Sequence, residues 1–299
     1  MFFRGMHSHW RVRGREVALT KPFVLGVINV TPDSFSDGGR FEAPDAALDR
    51  VAEMVAEGAD GVDVGGESTR PQGAVAVDAA EESRRVVPVV AAIARRFPSL
   101  LVSVDTVKAG VAAAALAAGA HVVNDVSGFR LDPDLAAVCA REGAGVVLMH
   151  SRGSVSEMGT YAHASYHDDV TGEVLDELGE CVARARAAGV SDAAVVLDPG
   201  LGFAKRSEHS LRVLAELPRV AALGFPVLVG ASRKRFVGEL TGVERPADRV
   251  HGTVGASVAA LMRGARLFRV HDVRAHREAL DVAWAVCGAG RPAGAGSAA

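Results

Sequence analysis

The residues best suited to chemistry sit where short apolar runs stop. The run Phe23-Val24-Leu25-Gly26-Val27-Ile28 breaks off at Asn29, and the stretch from there to Gly39 holds a proline, two glycines, three hydroxyls and two carboxylates. Such an oxygen-rich segment is not built for packing and suits a cation or a polar ligand. Further apolar runs end the same way. In chain order the ends carry Asn29, Asp63, Asp105, Asn124, His150 after Met149, Asp198, Ser232-Arg233-Lys234, and Arg269 with His271. One polar strand end is ordinary, but a polar group at every end, mostly carboxylates and amides, indicates a lined pocket. Asp198 before Pro199-Gly200 and Asp105 before Thr106 could instead cap the following helix.

The charges fall into two groups. Asp63, Asp105, Asn124 and Asp198 are acceptors, and a carboxylate accepts two parallel N–H bonds, so they suit a flat ligand with several N–H donors along one edge. Arg70, Ser232, Arg233, Lys234, Arg269 and His271 are donors for a phosphate-like anion. Arg233 and Lys234 also read as surface charges at a helix start. A second loop, Gly65-Gly66-Glu67-Ser68-Thr69-Arg70-Pro71, repeats the pattern of glycines, hydroxyls and a charge, so two adjacent loops could close together as lids.

Positioning these groups requires a regular frame. Ala-rich helical stretches close with Gly at Gly58, Gly119, Gly143, Gly189 and Gly264, and short apolar strands follow most of them. Eight strand candidates separated by helical stretches predict parallel crossovers and an α/β (β/α)8 TIM barrel over residues 21–287, with a doubly wound open sheet as the alternative. Residues 1–20 contain a short hairpin around Arg13-Gly14 that caps the barrel, and the Gly-, Ala- and Pro-rich stretch 288–299 reads as a disordered tail.

The 299 residues are 49% hydrophobic, enough for one large core, and the net charge of −3 argues against general binding to nucleic acid or acidic membranes. No apolar run reaches the roughly 18 residues of a membrane span, and the first ten residues lack a signal-peptide core. Cys139, Cys181 and Cys287 form no Cys-x-x-Cys pair, which fits a reduced, cytoplasmic setting.

The stretches from Gly26 to Gly39 and from Asp63 to Pro71 resemble the two signature loops of the dihydropteroate synthase family. The likeness continues through Ser103-Val104-Asp105-Thr106, Asn124-Asp125-Val126-Ser127-Gly128, Met149-His150, Asp198 to Lys205, Ser232-Arg233-Lys234 and Arg269-Val270-His271-Asp272. The resemblance implies a transferase joining 6-hydroxymethyl-7,8-dihydropterin diphosphate to p-aminobenzoate, with release of diphosphate. It implies that Asp105, Asn124, Asp198 and Lys234 hold the pterin, with Met149 and Lys205 completing the substrate-binding set. Asn29, Thr69, Arg269 and His271 would take the diphosphate. Asn29 and Asp37 would face Mg²⁺. Phe35, Pro71, Phe203, Ser232 and Lys234 would form the p-aminobenzoate site, where sulfonamides compete. Asn29, Asp37, Thr69, Arg70, Lys234, Arg269 and His271 would carry the catalysis. A homodimer through barrel helices is the family expectation.

The chemistry agrees with the residue types. An aromatic amine is neutral at pH 7 and already nucleophilic, so no strong base is required; the hard step is breaking the C–O bond to diphosphate. Three rivals differ in what they need. A non-catalytic paralogue would lose Asp37, the Thr69-Arg70 pair or the Ser-Arg-Lys run. A corrinoid-dependent methyltransferase has no use for Arg269-Val270-His271, and a sugar-phosphate enzyme leaves the acceptor cluster unexplained. The chain departs from the family at Ser151, where a larger side chain is usual, and in the polar loop from Ser154 to His167.

Overall fold

Each apolar run becomes a strand in the computed structural model, which describes residues 9–30, 43–67 and 77–289. A hairpin comes first: β1 (His9–Val12) and β2 (Arg15–Ala18) pair antiparallel across Arg13 and Gly14. Both turn residues have positive φ, 46° and 75°, as a two-residue type I′ turn requires. The sheet then comprises β3 (Phe23–Asn29), β4 (Gly61–Gly65), β5 (Leu101–Asp105), β6 (Val122–Asp125), β7 (Gly145–Met149), β8 (Val195–Asp198), β9 (Leu228–Val229) and β10 (Leu267–Val270). All are parallel, in the order β8-β7-β6-β5-β4-β3-β10-β9. A parallel bridge between Leu197 and Val227 joins β8 to β9 and closes the barrel.

The helices wrap the outside. They are α1 (Ala43–Ala56), α2 (Ala79–Arg96), α3 (Ala109–Ala117), α4 (Asp134–Glu142), the short α5 (Val155–Met158), α6 (Val170–Ala187), α7 (Ser207–Ala215), α8 (Leu217–Ala221), α9 (Arg235–Thr241), α10 (Val250–Met262) and α11 (Val273–Ala289). The five glycines expected to stop helices all have φ between 59° and 113°, the left-handed region that glycine enters at little cost. The last helix runs to Ala289, and residues 290–299 lie outside the described residues.

Side-chain alternation divides the barrel. On β3 to β10 the outward residues, among them Val24, Val62, Val102, Val146, Leu197 and Phe268, pack under the helices. The inward residues change character with height. At the N-terminal ends of the strands, Phe23, Leu25, Leu101, Val147, Leu228 and Leu267 form an apolar floor, sealed from below by Trp10, Val12 and Leu19 of the hairpin segment. Above it the inward positions are Asp63, Ser103, Asn124, Asp198 and Arg269.

Trp10 is fully buried, and its indole Nε1 donates to the carbonyl of Ala194 at 2.8 Å. A Cβ added at Gly145 would meet the indole at 3.0 Å, so a glycine is needed where the ring crosses β7. Trp10→Ala is expected to destabilise the fold by about 3–5 kcal/mol, from the cavity and the lost hydrogen bond. Urea titration should show the midpoint fall while kcat/KM under native conditions holds; a changed kcat/KM would mean that the floor is coupled to the chamber above.

Candidate active site

The inward carboxylates of β4, β5 and β8 cannot sit side by side without a cation, and Arg269 on β10 supplies it. Its Cα is in register with Leu25, whose partner on the other side is Gly61, one inward layer below Asp63. The long side chain climbs to the next layer, where Nε donates to Asp63 Oδ2 at 2.5 Å and Nη2 to Asp105 Oδ2 at 2.7 Å. Asn124 Nδ2 donates to the same Asp63 oxygen at 2.9 Å. Asp63, Asn124, Asp105 and Arg269 therefore form one hydrogen-bonded plate across four strands. Asp63 Oδ1 has no hydrogen-bond partner among the described residues.

Burial sets the proton affinities. It raises the Asp105 carboxyl to about 7, against the pull of the Arg269 guanidinium and with a further push from Asp63. It raises Asp198 to about 6, opposed by the Gly200 amide, Lys234, Lys205 and Arg269. Burial depresses the Lys234 ammonium to about 7, helped by Arg269 and resisted by Asp198 and Asp105.

The capping alternative holds for one acid and fails for the other. Asp198 Oδ1 accepts from Gly200 N at 2.7 Å, which shapes the turn, yet each carboxylate oxygen has a second lone pair for a ligand. Among the described residues Asp105 caps no helix; its Oδ2 accepts from Arg269. Asp125, next to Asn124 but facing outward, organises the turn after β6 by accepting from Ser127 N, Ser127 Oγ and Phe129 N.

Beside the plate lies an aromatic wall. Lys234 Nζ stands 3.6 Å from the centre of the Phe203 ring, and Phe203 packs with Met149, Met158, Val107 and Val126. A side chain at Gly230 would begin 3.9 Å from both Asp198 and Arg269, so this glycine keeps the space between them clear. On the neighbouring rim, Ser232 Oγ and His271 Nδ1 are 2.9 Å apart, and His271 N donates to the same hydroxyl at 3.1 Å. Arg233 faces away from the chamber: it binds Asp272 through Nε and Nη2, at 3.1 and 2.6 Å, and so braces the loop carrying Ser232 and Lys234 against the loop carrying His271. Its φ of 59° is held by this double bond and by its own amide donating to Thr253 Oγ1.

The profile of the family described as pterin binding enzyme matches residues 25–271. The dihydropteroate synthase of Mycobacterium leprae is 50% identical over 268 residues, spanning 87% of this chain and 93% of that one. The chain belongs to the dihydropteroate synthases. A Xanthomonas albilineans dihydropteroate synthase with 4-aminobenzoic acid superposes with a TM-score of 0.86 at 44% identity, over 95% of this chain and 99% of that one. The same organism's enzyme in complex with 7,8-dihydropteroate superposes with a TM-score of 0.83 at 43% identity, over 94% and 100%.

Set beside the expectations for this family, Asp105, Asn124, Asp198, Phe203, Lys234, Ser232, Arg269 and His271 gather at the C-terminal mouth of the barrel, with Asn29 at the end of β3 and Met149 in the apolar wall. Phe35, Asp37, Thr69, Arg70 and Pro71 lie outside the described residues. Two placements differ from expectation. Lys205 is buried, and its ammonium meets His150 Nδ1 at 2.7 Å and the carbonyls of Gly200 and Phe203 at 3.2 Å each, so its three donors are used within the protein and none faces a substrate. Arg269, expected at the anion end, also has Nε on Asp63 and Nη2 on Asp105, a contact with the acceptor acids that was not expected.

Asp63, noted as an acceptor but left out of the expected site, is the centre of the plate. Read from the sequence as a strand end, it stands mid-strand in β4, and its parity with Ser103 and Asp105 across the β4–β5 register is the signal that locates it. A second network was not foreseen. Lys108 Nζ bridges Glu67 Oε2 at 2.6 Å and the fully buried Glu82 Oε2 at 2.5 Å, while Glu67 Oε1 accepts from Val77 N. This ties the residues on either side of 68–76 to α2 and to the start of α3.

Proposed function

We propose that this chain joins 6-hydroxymethyl-7,8-dihydropterin diphosphate to p-aminobenzoate, giving 7,8-dihydropteroate and diphosphate in folate biosynthesis. The observation that carries this is the plate of Asp63, Asn124, Asp105 and Arg269 facing Asp198, in a chain half identical to a dihydropteroate synthase over nearly its whole length. The acids and Asn124 hold the N–H edge of the pterin, and Lys234 serves a ring acceptor. Ser232 fixes the His271 imidazole toward the diphosphate. The aromatic amine enters along Phe203 and bonds to the exocyclic methylene carbon. The C–O bond breaks with its electron pair leaving on diphosphate, and the amine loses a proton to solvent. Positive charge developing on the methylene is spread into the electron-rich pterin, so the displacement is dissociative. Positional isotope exchange within the diphosphate in the absence of amine supports this order; an absolute need for the amine before C–O cleavage contradicts it.

Magnesium belongs to the same reading. Among the described residues no group of three His, Cys, Asp or Glu gathers as a metal site. The half-buried Asn29 amide at the end of β3 is a hard oxygen donor, which suits a cation that takes most of its ligands from phosphate and water. Asn29, with Asp37, would hold the ion, which neutralises charge on the departing diphosphate.

Mixing the protein with both substrates and Mg²⁺ is expected to release diphosphate; a folded protein that releases none refutes the assignment. Chelating the metal should weaken calorimetric binding of the pterin diphosphate by at least about tenfold and leave the pterin alcohol within about twofold, because only the former presents a chelating anion. Equal weakening of both would remove magnesium from the anion site.

The exposed Met262 on α10 and Val282 and Val286 on α11, two helices packed together, support a homodimer through this face. Val286→Lys should then yield a monomer by light scattering, and an unchanged mass would reject that face. No described helix is long and apolar enough to cross a membrane. Three free cysteines, two of them buried, support a cytoplasmic setting, which cell fractionation tests directly.

A further inference from the structure

The turn after β8 is wound around a lysine. Gly200 and Gly202 have φ of 67° and 77°, and Ala204 has φ of 46°, so the chain from Pro199 to Lys205 curls back on itself. A Cβ on Gly200 would lie 2.0 Å from the His150 carbonyl oxygen, which leaves no other residue possible at the closest approach. The carbonyls of Gly200 and Phe203 converge on the Lys205 ammonium from within this curl. The third acceptor is His150 Nδ1, whose ring is buried. Its other nitrogen, Nε2, stands 3.1 Å from Glu177 Oε2 on α6. Arg152 also binds Glu177, and Tyr166, under the Arg152 guanidinium, donates its hydroxyl to the Ala204 carbonyl at 3.0 Å.

We propose that Lys205 is a positioning residue for the p-aminobenzoate site: the line Glu177–His150–Lys205 pins the 199–205 turn and thereby sets the Phe203 ring beneath Lys234. The proposal rests on the reaction assigned above. Burial lowers the Lys205 ammonium to about 7; in its protonated form it has three donors and no acceptor, so the histidine nitrogen facing it is then bare and the ring proton sits on Nε2, toward the carboxylate. Burial and the Lys205 charge push the His150 imidazole down to about 4, which keeps it neutral across the physiological range. Glu177 stands 3.1 Å from the far ring nitrogen, the imidazole accepts from one lysine N–H, and the other two N–H groups hold the turn. The backbone of Phe203 belongs to this turn, and its ring rests on Met149, Met158, Val107 and Val126. Asp198 belongs to β8, whose place the sheet sets. Loss of the line should therefore disturb the amine site more than the pterin site.

The test combines kinetics with a spectroscopic readout. Lys205→Met keeps the length of the side chain and removes its donors. It is expected to raise KM for p-aminobenzoate about tenfold or more while KM for the pterin diphosphate stays within about threefold, since small misplacements at a reacting site have such effects. His150→Asn, whose amide oxygen can stand in for Nδ1, should retain most of the amine affinity, whereas His150→Leu should match Lys205→Met. The double variant Lys205→Met/His150→Leu should be no worse than the poorer single one, because the two act through one path. Independently of activity, the nitrogen-15 spectrum of His150 should show the Nε2–H tautomer, and in Lys205→Met the Nδ1 resonance should move downfield to the position of an unbonded ring nitrogen. Equal rises in both KM values, or an unmoved Nδ1 resonance, would overturn the proposal. Absence of any reaction in the parent protein would refute the assigned reaction, while the nitrogen spectrum would still judge the geometry.

Discussion

Arg269→Ala is expected to damage ring binding and stability together. The guanidinium is the shared counter-charge of Asp63 and Asp105, and Asp63 is completely buried. Removing one partner of a buried ion pair leaves an uncompensated charge and costs about 3–5 kcal/mol. The damaged protein relieves this by taking up a proton: Asp105, already raised to about 7 with the arginine present, rises further and is protonated at neutral pH. A protonated Asp105 no longer accepts two N–H bonds, so affinity for a pterin lacking the diphosphate should fall, by roughly tenfold or more. Arg269→Lys should recover only a minor part, because one ammonium cannot reproduce a fork that spans two carboxylates. Urea titration and calorimetry with the pterin alcohol check both effects. An intact affinity for the alcohol with a selective loss for the diphosphate would return Arg269 to the anion end.

Asp198→Asn should cost about 3 kcal/mol in pterin binding, roughly a hundredfold, through loss of charge-assisted acceptance and the presentation of an N–H to ligand donors. The wild-type pH dependence gives a second handle. Burial raises the Asp198 carboxyl to about 6, and the ligand's donors require the ionised form. The Asp198 contribution to affinity should therefore hold above that value and fall about tenfold per unit as pH drops below it. Arg269 stays cationic throughout and contributes no slope, while Lys234 and Asp105 both take up a proton near 7 and add their own change there. In Asp198→Asn the Asp198 component should vanish. A slope below 6 as steep in Asp198→Asn as in the parent would assign the titration to Asp105 alone.

The frame was legible because its signals are local. Apolar runs, glycine stops and polar strand ends each occupy a few consecutive residues, and together they specified the eight parallel strands and most of the groups at the mouth. What escaped depends on reach. From Arg269 in the sequence one reads a donor at the end of β10, but not that its side chain rises a layer and crosses to β4 and β5, 206 and 164 residues away. Lys205 looked available because its motif lies against the amine site; only the curl of the turn shows its protons already taken. Lys108, Glu67 and Glu82 have no periodicity to betray them, since the ion pair joins a strand loop, a helix and the next helix start.

The hairpin plug has an evolutionary corollary. Trp10, Val12 and Leu19 close a greasy lower storey that, among the described residues, shares no hydrogen bond or ion pair with Asp63, Asp105 or Asp198 above. An unchanged kcat/KM in Trp10→Ala would let adaptation to heat or cold proceed in that storey and resistance to substrate mimics in the upper one, so that a lineage gains robustness without altering its ligand preferences.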